Sequence, residues 1–158
     1  MFKAINLKKL ITSVIIPLLV GFLSVLFTSG NMDIYNRINT PPLSPPSFIF
    51  PIAWTILYIL MGISLYLVRT AKGNSVGKRK GYLFYALQLG FNFFWSIFFF
   101  GFNLFSLSAV WLGLMIILIG LNIFYFMNEN KLAGKLLIPY ILWCLFALYL
   151  NIGIVVLN

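Results

Sequence analysis

Residues 40–73 read TPPLSPPSFIFPIAWTILYILMGISLYLVRTAKG. A proline-rich strap runs into an apolar stretch, and the apolar stretch ends in basic residues. Pro41, Pro42, Pro45, Pro46 and Pro51 fix φ and lack the backbone N–H. The strap is therefore read as stiff and extended, with helix beginning only at its end. The run at 48–68 contains no charged residue. It is long enough to cross a bilayer, which takes about 20 residues. Working outward, similar runs occur at 10–27, 82–102, 107–127 and 136–157. The chain reads as an all-α membrane protein, a five-transmembrane-helix bundle in one domain over residues 1–158, with a proline-rich outer loop at 28–47.

Composition supports this. Of the 158 residues, 62% are hydrophobic and 8% are charged, with a mean hydropathy of +1.03. A soluble domain is closer to half apolar and a quarter charged. Lys3, Lys8 and Lys9 before the first run resemble the start of a signal peptide. The apolar core is long, however, and TSG at 28–30 is a poor cleavage site, so the run is read as a span.

Net charge is +9, which by itself would suit nucleic acid. The charges fall in loops between apolar runs, so the expected partner is the lipid bilayer and not nucleic acid. With five spans, Lys3, Lys8, Lys9, Arg69, Lys72, Lys78, Arg79, Lys80, Lys131 and Lys135 share one side, and Arg37 stands alone on the other. That asymmetry predicts a multi-pass protein of the cell membrane, with the N-terminus cytoplasmic and the C-terminus outside.

The five spans contain no Asp, Glu, Lys, Arg or His. Proton-coupled transport usually needs an ionisable group in the membrane, and paired-carboxylate or nucleophile–base catalysis has no candidates here. The chain has no histidine, so the commonest metal ligand is missing. No metal site and no resident cofactor are expected. Cys144 is the single cysteine, which rules out an intrachain disulfide.

The intramembrane polar residues form stripes. Gln88, Asn92, Trp95 and Phe99 fall on one helical face, which should point into the bundle because amides in hydrocarbon need partners. Ala86 and Gly90 lie on the opposite face as a small-xxx-small pair, read either as lipid-facing residues or as a homodimer seam. Trp54, Tyr58 and Met61 make a stripe in the second span, and Trp143, Ala147, Leu150 and Asn151 one in the fifth. For a lone tryptophan the interfacial aromatic belt is the simpler reading, and Trp111 fits it. Trp54, Trp95 and Trp143 share their stripes with Tyr, Asn or Ala, which points instead to a cavity with flat aromatic walls.

Three blocks carry a family resemblance: PPLSPPSFIFPIAWTILYILMG from residue 41, QLGFNFFWSIFFF from residue 88 and PYILWCLFALYLN from residue 139. They resemble the translocator protein family, also called tryptophan-rich sensory proteins or peripheral-type benzodiazepine receptors. PLLVGFLSVLFT in the first span fits more loosely. The resemblance implies a five-helix bundle, usually a homodimer, with a pocket under the first outer loop. It implies binding of porphyrins such as protoporphyrin IX and of other flat hydrophobic small molecules, including benzodiazepine-type drugs, and in some members cholesterol. By motif, the pocket residues would be Tyr35, Pro41, Pro42, Trp54, Asn92, Trp95, Trp143, Ala147 and Leu150. Some bacterial members resemble slow photochemical porphyrin degraders, which would make Trp54 and Trp143 the reactive, catalytic indoles. The resemblance also leaves open a facilitator of porphyrin or sterol transport.

This chain departs from the family pattern in places. Ile34–Tyr35 stands where many members have Trp-Tyr, Thr40–Pro41 replaces Lys-Pro, and Leu43 replaces a loop tryptophan. The lid therefore has fewer stacking rings. No basic residue follows Tyr149, so the C-terminal cholesterol pattern is absent. Paired prolines suit a lid because their φ is already fixed and little entropy is lost on ordering.

Overall fold

The computed structural model describes residues 4–73 and 75–158, and Lys3 lies outside them. Five helical spans are long and apolar enough to cross a membrane. They are built from α1 (Leu7–Thr28), α2 (Ile49–Thr70), α3 (Val76–Ser96), α4 (Phe105–Glu129), the short α5 (Lys131–Leu136) and α6 (Ile138–Leu157). α5 and α6 together form the last span, broken at Leu137 just before Pro139 opens α6. Proline is tolerated there because the first helical N–H groups have no partner within the helix.

Polar side chains cap the starts of α1, α3 and α5. Asn6 accepts from Lys9 N at 3.0 Å, Ser75 from Lys78 N at 2.8 Å, and Asn130 from Leu132 N and Ala133 N. Each takes up backbone donors that the first turn leaves unpaired. On the buried face of α1, Ser13, Ser24 and Thr28 donate to carbonyls one turn back. Ser24 and Thr28 therefore sit in an apolar bundle without a side-chain partner from another helix, while Ser13 also accepts from Arg69 of α2.

The helices form a ring. α1 packs on α2 and α3, α3 on α4, and α4 on α6, while α5 joins α4 to α2. At the crossing of α1 and α2 the backbones nearly touch, and a Cβ on Gly62 would overlap Val14 Cα. Up-and-down connectivity gathers the described basic residues other than Arg37 at one end of the ring. There Lys78 Nζ caps the end of α2 by donating to Ala71 O (2.9 Å) and Gly73 O (3.1 Å).

The opposite end carries the strap. Ahead of it, Ser29–Asn36 continues α1 as a 3₁₀ segment. Small and polar residues (Ser29, Gly30, Asn31), with no proline between Pro17 and Pro41, allow that tighter winding. Beyond Arg37 the chain is irregular as far as α2 and turns at Leu43, whose φ is +68° and whose side chain is exposed. The strap docks on α6. Pro41 is buried against Gly153, Tyr149 Oη donates to Pro42 O at 2.8 Å, and Asn39 and Asn158 exchange two hydrogen bonds of 3.0 and 2.9 Å.

Candidate ligand-binding site

Beneath the start of the strap lies a cavity of about 310 Å³. α2 contributes Phe50, Trp54, Thr55 and Tyr58, and α3 contributes Trp95, Ser96 and Phe100. α1 supplies the third wall through Leu18, Gly21, Phe22, Ser24, Val25 and Thr28. No charged side chain lines it. The hydroxyls of Ser24, Thr28 and Thr55 donate to carbonyls of their own helices. The walls thus offer mainly apolar and aromatic surface, suited to a hydrophobic, flat guest. Phe22, Val25 and Thr55 on its rim are exposed, so the cavity opens sideways between α1 and α2.

Aromatic order shapes the inner wall. The Trp54 ring stacks on Tyr58 at 5.7 Å, lies 6.0 Å from Trp95 and meets Tyr140 edge-on at 6.1 Å. After Trp95, α3 widens into a π-helical turn at Ile97–Gly101, which brings Phe99 inward and Phe100 to the cavity wall. Trp95 Nε1 donates to Asn151 Oδ1 at 3.2 Å, and Asn151 also accepts from Ser108 Oγ and donates to Phe105 O. This network fixes the Trp95 plane from α4 and α6.

The expected pocket residues fall into five groups, the last of them Asn92 alone. Trp54 and Trp95 line the cavity. Tyr35, Ala147 and Leu150 line a much smaller crevice of about 20 Å³, which shares Phe50, Trp95 and Phe100 with the cavity. Pro41 and Pro42 border an outward groove on α6. Trp143 lies in a separate open groove between α2 and α6, with Leu57, Pro139 and Phe146. Phe50 intervenes: it lines the Trp54 cavity, and its ring meets Trp143 at 6.0 Å and Tyr35 at 4.9 Å. Trp54 and Trp143 therefore do not face one another across a common space.

Asn92 is buried behind the cavity in a chain of side chains. Tyr58 Oη donates to Asn92 Oδ1 at 2.7 Å, Asn92 Nδ2 to Tyr140 Oη at 3.1 Å, and Tyr140 Oη to Gln88 Oε1 at 2.7 Å. This chain ties α2, α3 and α6 together, as interhelical amides in hydrocarbon are expected to do. Trp111 differs from a simple interfacial anchor: it stacks on Phe91 at 4.1 Å and donates Nε1–H to Phe91 O at 2.9 Å.

Sequence reasoning missed the α1 wall. Its signal is the spacing Gly21, Ser24, Thr28, a stripe of small and hydroxyl-bearing residues with no aromatic to draw attention. On α6 the buried residues are Tyr140, Cys144, Ala147, Leu150, Asn151 and Ile154. Trp143 sits at the Leu150 side of that face, half-buried, with Nε1 buried and unpartnered and its ring against Phe50 and Phe146.

A model of the TspO/MBR family matches residues 13–157. The chain is 37% identical to the tryptophan-rich protein TspO of Archaeoglobus fulgidus over 97% of this chain and 99% of that one. It is 32% identical to the tryptophan-rich sensory protein of Cereibacter sphaeroides, covering 78% of this chain and 76% of that one. It is 31% identical to the translocator protein of Bos taurus, over 87% and 82%. The family model and the five apolar helical spans agree: this chain is a multi-pass membrane protein and belongs to the TspO/MBR family.

Proposed function

We propose that this protein binds tetrapyrroles such as protoporphyrin IX, and other flat hydrophobic molecules, within the membrane and acts as a sensor for them. The observation that carries the reading is the uncharged cavity walled by Trp54, Tyr58 and Trp95 and open between α1 and α2. Its volume of about 310 Å³ sits at the lower edge of ligand pockets, which run from about 300 to 1,000 Å³. Phe50 separates it from the crevice of Tyr35, Ala147 and Leu150. Movement of the half-buried Phe50 ring, together with Phe100, which also lines both spaces, would join them into a slot for a planar ring system. Trp54, Trp95, Tyr35, Ala147 and Leu150 would then contact one ligand, with the Pro41–Pro42 strap held over its outer edge. The sideways opening favours exchange of ligand with the bilayer.

The basic end of the ring is assigned to the cytoplasm, which puts the N-terminus inside and the strap and C-terminus outside. The protein acts as a homodimer through the α3 face bearing Ala86 and Gly90. Ala86 is exposed, and a Cβ on Gly90 would meet nothing within 4 Å, so this face is open in the monomer. Titration of the detergent-solubilised protein with protoporphyrin IX, read by tryptophan quenching, tests the ligand reading. Saturable one-to-one quenching supports it, and quenching that grows linearly with porphyrin refutes it.

A further inference from the structure

At the end of the bundle away from the strap, α1 and α2 form a corner that the cavity does not use. Arg69 Nη1 donates to Thr12 Oγ1 and Ser13 Oγ, both at 2.8 Å, and to Lys9 O at 3.3 Å. One turn earlier on α2, Tyr66 Oη accepts from Asn6 N at 3.2 Å. These bonds lock the first turns of α1 onto the last turn of α2. All three Arg69 bonds run through one nitrogen of the guanidinium, which leaves the rest of its planar fork for an acceptor from outside. Lys8 and Lys9 are exposed on the same turn of α1.

This corner has no carboxylate partner. The chain holds only two acids, Asp33 and Glu129. Asp33 sits in the 3₁₀ segment at the far end. Glu129 ends α4, where it accepts a hydrogen bond from Ser75. The hydrogen-bond acceptors of Arg69 are all neutral groups.

Above it α1 exposes apolar residues, as the outer faces of the other spans do. From Lys8, a single face of α1 runs through Ile11, Ile15, Leu19 and Phe22 at helical spacing. All four apolar residues are exposed, and Phe22 belongs to the rim of the cavity. Lys8 heads this stripe, and the Arg69 fork lies beside it, about 100° round α1 at Lys9 and Ser13; together they complement a phospholipid, with cations at the headgroup level and apolar surface along the acyl chain. Basic pockets between transmembrane helices on the cytoplasmic side bind such headgroups.

We propose that the α1–α2 corner is a binding site for an anionic phospholipid, with its phosphate on Arg69, Lys8 and Lys9 and an acyl chain along Ile11, Ile15 and Leu19. The inference is independent of what the cavity binds.

The test is native mass spectrometry of the detergent-solubilised protein titrated with phosphatidylglycerol, phosphatidylcholine or inorganic phosphate. Lys8→Gln/Lys9→Gln removes two exposed charges and leaves the Arg69 bonds intact. Lys131→Gln/Lys135→Gln removes the same charge elsewhere at that end. The expected result is a first phosphatidylglycerol adduct held more tightly than phosphatidylcholine. A basic side chain near an anionic lipid is worth about fivefold in affinity. The Lys8/Lys9 variant should therefore lose about 25-fold, and the Lys131/Lys135 variant should stay within about twofold. Equal retention of the two lipids overturns the proposal, as does equal weakening by both variants, which would mean diffuse charge. Displacement of the lipid by inorganic phosphate alone at similar concentration also overturns it, because it would leave a free-phosphate site with no role for the acyl stripe.

Discussion

Replacing Gly153 with alanine tests how the strap is held. A Cβ at position 153 would lie 2.5 Å from Pro41 Cγ and 2.6 Å from Pro41 Cβ. The proline ring is tied to its own backbone and cannot swing away as a flexible side chain would. Overpacking of this kind costs about 1–3 kcal/mol. Alanine also improves the helix by about 1 kcal/mol over glycine, but that gain is the same with the strap docked or released. The docking equilibrium therefore feels only the clash. A cost of about 2 kcal/mol corresponds to a 30-fold larger released population. The three latch bonds, from Tyr149 to Pro42 and between Asn39 and Asn158, contribute about 1 kcal/mol each. Docking should thus be weakened and not abolished. The assay is trypsin added to right-side-out vesicles, where Arg37 is the basic residue on the strap side. When reclosing is fast, cleavage tracks the open population, so Gly153→Ala should be cut about 30-fold faster than wild type. Adding Pro41→Gly removes the clashing ring atoms, and the double variant should behave like Pro41→Gly alone. Unchanged cleavage of Gly153→Ala would refute the docking argument, and absence of cleavage at Arg37 in any variant would refute the orientation.

Other expectations follow from the same geometry. Gly90→Phe adds a side chain to open surface, so it should weaken the proposed homodimer on cross-linking while the monomer melts as before; cross-linking equal to wild type removes α3 from the interface. Asn92→Leu leaves the hydroxyls of Tyr58 and Tyr140 without their amide and should destabilise the bundle by about 1–3 kcal/mol, read by chemical denaturation in detergent. A loss below half a kcal/mol would mean that the buried chain contributes little. Under illumination with bound protoporphyrin, Trp54→Phe should slow the loss of porphyrin absorbance, because phenyl is harder to oxidise than indole. Trp143→Phe should not, because Trp143 lies outside the cavity. Equal rates in all three proteins would leave binding without tryptophan photochemistry.

The helices were legible because membrane spans announce themselves by length and absence of charge, and because the loops carry nearly all the basic residues. The buried face of α3 was also legible, since Gln88 and Asn92 in hydrocarbon leave few choices. The α1 wall was not, because glycine and serine on a helix serve close packing as readily as a cavity. Trp143 shows the limit of stripe reasoning. It shares a face with buried Ala147 and Leu150, as the stripe predicts, yet its ring packs on Phe50 and Phe146 and lines the groove between α2 and α6, not the Trp54 cavity. The 3₁₀ entrance to the strap and the π-turn after Trp95 depend on tertiary packing, for which local sequence carries little signal.

The most direct test places the ligand. Ser24 lines the cavity on α1 and is buried, so Ser24→Phe fills the space beside Trp54 without touching the Trp143 groove. Protoporphyrin IX is titrated into wild type, Ser24→Phe and Trp143→Phe, with tryptophan quenching as the readout. Saturable binding should persist in Trp143→Phe and weaken at least tenfold in Ser24→Phe, a change of about 1.4 kcal/mol. Wild-type affinity in Ser24→Phe, or loss of binding in Trp143→Phe alone, would contradict the cavity as the binding site.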